Sequence, residues 1–326
     1  MKRLFMTFRQ LGVWACTVVA LAGTAACASV TSPDAMRTGA IRTDAVRTVA
    51  ADTSHPLTDV GGSLVVSVGD VACSPGGTVT TTTCRDAATA KQAKSYNPRY
   101  ALVLGDEQYQ SGTATQFRGG YDKSWGSLKS ITKPIPGNHE YNTAGASGYY
   151  SYFQAQTRSP GYYAFNVDNW RVYALNSNCT KIDCTTEATW LDRDMSANPR
   201  KCSLLMMHHP LYSSGLEHGD SPEGKAFWQV GLAHGADVVL AGHDHDYERF
   251  QRMNADGSPA TKGIGSFVVG TGGKNLYHSA GLRAGSQVYD AHRAGVLALK
   301  LGAVRYGWQY QTIDGQVIDK GIRYCL

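Results

Sequence analysis

At 326 residues the chain is one large domain or two small ones, because single hydrophobic cores stop growing at roughly 250–300 residues. Apolar residues make up 42% and charged residues 17%, which is enough to bury a core and excludes an intrinsically disordered chain. The formal net charge is +5, and Lys2, Arg3 and Arg9 supply part of it from the extreme N-terminus, so nucleic-acid binding is excluded as the main activity.

Residues 1–28 read as an export signal. A basic segment precedes an apolar run, Leu11 to Ala26, that is too short and too rich in Ala and Gly to span a bilayer. Ala26-Cys27-Ala28 fits an ordinary signal-peptidase site. The same residues also fit a lipoprotein site, with Cys27 as a lipid anchor. Either way the protein is expected to be secreted or held at the cell surface, with no membrane span. Residues 29–62 carry Arg-Thr at 37, 42 and 47 and lack any apolar period, so they are expected to form a flexible tether. A single domain is expected over 63–326.

From Ser63 onward, β-rich apolar runs alternate with polar or helical stretches. Strands are predicted at Leu64–Val68, Ala101–Leu104, Val172–Leu175, Ser203–Met207, Val238–Ala241, Phe267–Val269, Val296–Leu299 and Val304–Gln309. Helices are predicted at Asp86–Ser95, Glu187–Ser196 and Lys225–Ala233. This order argues for an α/β layered domain with ligands at the C-terminal ends of its strands. The late strands lack intervening helices, which suggests a second, more antiparallel sheet. Beyond the leader six cysteines remain, an even number that suits disulfides in an oxidising compartment. Short loops favour Cys73–Cys84 and Cys179–Cys184, leaving Cys202 to pair with Cys325. No CxxC occurs, so a zinc–thiolate site is not expected.

Five short clusters follow predicted strands: Gly69-Asp70, Gly105-Asp106-Glu107-Gln108-Tyr109, Gly137-Asn138-His139-Glu140, Met207-His208-His209-Pro210 and Gly242-His243-Asp244-His245. Singly, each reads as a turn or strand terminator. Together they offer carboxylates, a phenol, an amide and several imidazoles. That exceeds the four ligands of a structural zinc and suits a pair of metals bridged by one carboxylate. Two cations roughly 3.5–4 Å apart clamp the attacking and leaving oxygens of a phosphoryl displacement.

These motifs resemble the calcineurin-like metallophosphoesterase superfamily and, within it, the purple acid phosphatase branch. Gly105-Asp106-x-x-Tyr109, a first motif without His (Asp70-Val71-Ala72), and Gly242-His243-x-His245-x-Tyr247-Glu248-Arg249 carry the branch resemblance. Tyr162-Tyr163-Ala164-Phe165, Trp190-Leu191-x-x-Asp194 and Gly270-Thr271-Gly272-Gly273 extend it. Ala72 stands where the branch has Gly. The resemblance implies a four-layer α/β/β/α sandwich in a small single-domain bacterial form. It further implies that Asp106 bridges two metals, with Asp70, Tyr109 and His245 on one and Asn138, His208 and His243 on the other. His139 would protonate the leaving oxygen, Glu140 would orient His139, and His218 would face the substrate.

The implied activity is hydrolysis of small phosphate monoesters by direct attack of a metal-held hydroxide, as a metal-dependent acid phosphatase. A phenolate donor suits Fe(III), so the expected pair is Fe(III) with divalent Fe, Zn or Mn. A phosphodiesterase or nucleotidase on the same scaffold is the alternative. A surface phosphate-binding protein with a dead centre is disfavoured, because every ligand and His139 are present. Of the other histidines, His209 is expected to shape the rim or pack. His55 lies in the tether, His234 ends a helix, and His278 and His292 lie on late loops. The aromatic run Tyr149 to Phe153 is read as packing.

Overall fold

The first apolar run, Ser-Leu-Val-Val-Ser-Val, forms strand β1 (Ser63–Val68), and its last four residues are buried. Continuous β-branched runs of this kind suit a parallel strand covered on both faces. β1 pairs in parallel with β2 (Tyr100–Val103), and β2 with β3 (Thr132–Pro134). The helices that make these crossovers are α2 (Asp86–Ser95), α3 (Ala114–Gly119) and α4 (Tyr121–Ser124). The computed structural model from which these elements are taken describes residues 55–154, 160–279 and 281–326.

After α5 (Ser147–Phe153) a second sheet begins. Strands β4 (Tyr163–Val167) and β5 (Trp170–Ala174) form an antiparallel pair. Helix α6 (Cys184–Ala197) leads to β6 (Cys202–Met206), and α7 (Lys225–Ala233) leads to β7 (Val238–Ala241). Then come β8 (Tyr247–Met253), β9 (Ile264–Val269) and β10 (Ser286–Asp290). The order across this seven-stranded sheet is β10-β8-β9-β7-β6-β5-β4. Strands β11 (Gly295–Leu301), β12 (Arg305–Thr312) and β13 (Val317–Tyr324) return to the first sheet, giving the order β13-β12-β11-β1-β2-β3.

Three apolar clusters define the layers. Leu102, Leu104, Trp170, Phe267 and Trp308 pack between the sheets. Phe117, Trp125, Tyr149 and Phe153 cover the outer face of the first sheet. Leu191, Phe227 and Trp228 cover the outer face of the second. The result is the expected α/β/β/α sandwich. The aromatic run does pack: Tyr152 stacks on Phe117 at 4.9 Å, and Phe153 is buried. One buried ion pair also crosses the interface. Asp319 on β13 accepts hydrogen bonds from Arg249 Nε (2.6 Å) and the Tyr247 hydroxyl (2.7 Å) on β8, and from Trp308 Nε1 (2.9 Å).

Three expectations need correction or refinement. The late strands do not make a sheet of their own. β9 joins the second sheet in parallel with β7, while β11 pairs antiparallel with β1, because both sheets must extend to cover the shared core. Residues before Ser63 are not all tether. Pro56–Asp59 forms a helical turn, α1, with Pro56 and Val60 buried. Apolar Pro56 and Val60 anchor it to the first sheet; residues 29–54, like the expected leader at 1–28, lie outside the described residues. The middle helix is longer than predicted, because Asp183 caps it by accepting from the backbone N–H of Thr185 and Thr186.

All three disulfides form as the loop lengths suggested: Cys73–Cys84, Cys179–Cys184 and Cys202–Cys325, separated by 11, 5 and 123 residues. Among the described residues, no helix is long and apolar enough to cross a membrane.

Candidate metal centre

The five clusters meet at one edge of the sandwich, each at the carboxyl end of a strand. Asp70 follows β1, Asp106 follows β2, Asn138 follows β3, His208 follows β6, and His243 and His245 follow β7. Asp70, Asp106 and His243 have φ of 59°, 48° and 74°, a left-handed backbone uncommon outside glycine. Such turns aim the side chains back over the strand ends and are held by the surrounding hydrogen bonds. Gly137 permits a close approach to the centre, since a Cβ there would lie 2.1 Å from Asp106 Oδ1.

Two donor sets form around Asp106. On one side, the Tyr109 hydroxyl lies 2.9 Å from Asp106 Oδ2, 2.9 Å from Asp70 Oδ1 and 2.9 Å from His245 Nε2. On the other, His208 Nε2 lies 3.5 Å from Asp106 Oδ1, 3.0 Å from Asn138 Oδ1 and 3.2 Å from His243 Nδ1. The two oxygens of one carboxylate therefore face different sets. His209 stands beside the second: its donor atoms cluster with those of His208 and His243, while its Nδ1 lies 2.8 Å from Ser177 Oγ.

The residues fit a pair of cations. A phenol carries one proton, yet the Tyr109 oxygen has three close polar neighbours. Asp70 and Asp106 are almost wholly buried with no Lys or Arg paired to them among the described residues. Burial pushes the Asp70 carboxyl above its ordinary range and pushes the Tyr109 phenol well above its own. Burial likewise holds His208 well below the usual imidazole range, so this ring is neutral and a suitable donor. His208 Nδ1 donates to the Leu104 carbonyl at 2.8 Å, which leaves Nε2 with its lone pair directed into the centre. His245 lacks such a brace. Its Nδ1 is buried without a hydrogen-bond partner, and its ring is fixed instead by stacking on Tyr277 at 4.0 Å.

His139 and His218 also lie beside the centre. His139 donates from Nδ1 to the Gln110 carbonyl at 2.7 Å, and its Nε2 lies 3.8 Å from Asp106 Oδ2 with the side chain 24% exposed. His218 is exposed and stacks on His243 at 4.0 Å. Asp244, the intervening residue of Gly-His-x-His, supports that loop by accepting from Gly219 N–H at 3.0 Å.

Glu140 does not do what was expected of it. Its carboxylate makes no hydrogen bond to the His139 ring. It accepts instead from the backbone N–H groups of Asp106 (3.0 Å), Gln108 (3.1 Å) and Gly137 (2.8 Å). Glu140 thus organises the loop that presents Asp106, and the ring of His139 is oriented by Gln110.

Tyr277 and Lys274 were missed by sequence reasoning; the only signal was their position just after the Gly270–Gly273 loop.

A two-sheet sandwich with carboxylates, a phenol, an amide and imidazoles gathered at its strand ends has the metallophosphoesterase fold. The calcineurin-like phosphoesterase family model matches residues 58–247, and the chain belongs to that family. Over 193 residues it is 26% identical to purple acid phosphatase 22 of Arabidopsis thaliana, covering 51% of this chain and 42% of that protein. An acid phosphatase of Aspergillus ficuum is 29% identical over 141 residues, covering 40% of this chain and 23% of the other. The chain thus spans less than half the length of these curated relatives. The purple acid phosphatase PPD1 from yellow lupin superposes with a TM-score of 0.63 at 19% identity, covering 81% of this chain and 54% of that one.

Proposed function

We propose that this protein is a dinuclear-metal phosphatase of the purple acid type, hydrolysing small phosphate monoesters outside the cytoplasm. One observation carries the reading. Asp106 stands between the two donor sets, with one carboxylate oxygen beside Tyr109 and the other beside His208, a position that suits a ligand shared by two metals. Asp70, Tyr109 and His245 would complete one site, and Asn138, His208 and His243 the other. Bound there, two cations supply Lewis acidity and acidify water at mild pH.

The chain's own residues account for the rest. The Gln110 carbonyl holds the Nδ1 proton of His139, so a proton on Nε2 is free for transfer to the departing oxygen. His218, stacked on His243 at the open side, meets the phosphate as it enters. Tyr277 and Glu140 keep the ligand loops in place and touch no substrate. An oxygen donor of the Tyr109 type favours a trivalent metal at its site, hence Fe(III) with a divalent partner. Three disulfides support an oxidising compartment, in keeping with export of the chain by residues 1–28, with or without a lipid on Cys27.

Elemental analysis of the purified protein, with its visible spectrum and a p-nitrophenyl phosphate assay, tests this. Two metals per chain, a violet absorption and turnover are expected. A metal-loaded protein without phosphatase activity would overturn the reading.

A further inference from the structure

The loop after β9 runs Gly270-Thr271-Gly272-Gly273-Lys274, and it is clamped to the centre. Lys274 N–H donates to the Asp70 carbonyl at 3.0 Å, and the Lys274 carbonyl accepts from Cys84 N–H at 3.1 Å. Gly273 sits at φ +144°, and a Cβ there would lie 2.3 Å from Asp86 N, so the turn before Lys274 tolerates no side chain. Cys84 is tied in turn to Cys73, three residues after Asp70. The lysine therefore starts from a rigid backbone position beside one of the two buried carboxylates.

Its side chain is half-buried, and Nζ lies over the Tyr109 ring, 5.2 Å from the centroid. Among the described residues no carboxylate pairs with Nζ and no hydrogen bond runs from it. Both nearby candidates are taken. Asp70 accepts from His243 N–H and Asp106 from His139 N–H, and the Tyr109 hydroxyl lies 2.9 Å from an oxygen of each. Arg249, Arg283 and Arg293, by contrast, each pair with an aspartate. Lys274 is thus a partly desolvated cation, one phenol ring from the centre, whose charge no carboxylate answers. Desolvating a charge without a partner costs free energy, and such a group favours any anion that comes within reach.

On the reading of this centre as a phosphatase, we propose that Lys274 is a phosphate-binding residue, its ammonium pairing with a non-bridging oxygen of the substrate and of released phosphate. A compact ammonium on a flexible stem suits a phosphate oxygen as a point charge.

The test uses metal-loaded protein carrying Lys274→Met, which keeps the stem and removes the charge, and Lys274→Arg, which keeps the charge. Inorganic phosphate is titrated calorimetrically, metals per chain are counted, and KM and kcat are read on p-nitrophenyl phosphate. Lys274→Met should keep both metals and weaken phosphate binding about 10- to 100-fold, the loss of one charge-assisted hydrogen bond. KM should rise more than kcat falls, and Lys274→Arg should restore most of the affinity. Unchanged phosphate affinity in an otherwise active, metal-replete Lys274→Met protein overturns the assignment. So does loss of metal in that variant, which would make Lys274 a support for Tyr109. A wild-type protein that neither holds two metals nor turns over the ester overturns the phosphatase reading itself, and this one with it.

Discussion

Glu140 accepts the backbone N–H of Asp106, 34 residues away in sequence, at 3.0 Å, and so holds the loop from which Asp106 reaches both donor sets. With Gln108 N–H and Gly137 N–H on the same carboxylate, both of its oxygens are engaged by donors.

Glu140→Gln should therefore be damaging despite its close shape. Whichever oxygen becomes an NH2 group meets a backbone N–H, donor against donor, at a cost of about 1–3 kcal/mol in stability. Metal affinity should fall roughly 10- to 100-fold, as for other groups that support ligands. Burial, followed by the Asp106 charge, pushes the Glu140 carboxyl up from 4.5 to about 8. A carboxyl with a raised folded pKa binds more protons folded than unfolded, so its contribution to metal-free stability is lost as pH rises through that window. Thermal melts of metal-free wild type and Glu140→Gln across pH 5 to 8 check this, and the variant should show the flatter dependence.

His139→Ala should retain both metals and lose about 10²–10⁴ in kcat on esters with poor leaving groups. The loss should shrink on p-nitrophenyl phosphate, whose leaving oxygen needs little protonation. Equal losses on alkyl and nitrophenyl esters would mean that His139 only positions the phosphate.

Tyr109→Phe keeps the buried ring against His139 and Lys274 but removes the oxygen that meets Asp70, Asp106 and His245. The violet absorption should vanish and iron should bind more weakly at that site, as read by the visible spectrum and metal content. Retention of colour would show that Tyr109 is not a ligand.

Asp319→Ala should be among the most destabilising single changes outside the centre. It strands the Arg249 guanidinium in the interior and leaves the Tyr247 hydroxyl and Trp308 indole without their acceptor. Breaking a buried pair in this way costs about 3–5 kcal/mol, measurable by denaturant unfolding.

Replacing Cys202 and Cys325 together by Ala should cost more stability than removing either short bridge, about 4–5 kcal/mol in the chain-entropy account. The bridge closes a 123-residue separation and ties the last residues to the second sheet. Denaturing thiol titration of the wild-type domain should find these six cysteines oxidised.

Much of this protein follows from local pattern. The central strands β1 and β7 are buried on both faces, so their apolar runs stand out, and α2 and α7 begin and end where the sequence indicates. Ligand candidates were legible because Gly-Asp, Gly-Asn-His and Gly-His-x-His must each lie at the end of such a strand. The outer strands were not. β8 and β13 read Tyr-Glu-Arg-Phe-Gln-Arg-Met and Val-Ile-Asp-Lys-Gly-Ile-Arg-Tyr, and Arg249 and Asp319 belong inside only because they meet across the two sheets. The work of Glu140, the stacking of Tyr277 on His245 and the unanswered charge of Lys274 were hidden for the same reason. Periodicity and turn chemistry act over a few residues, whereas a buried carboxylate, ring or ammonium takes its role from partners that only the folded chain brings to it.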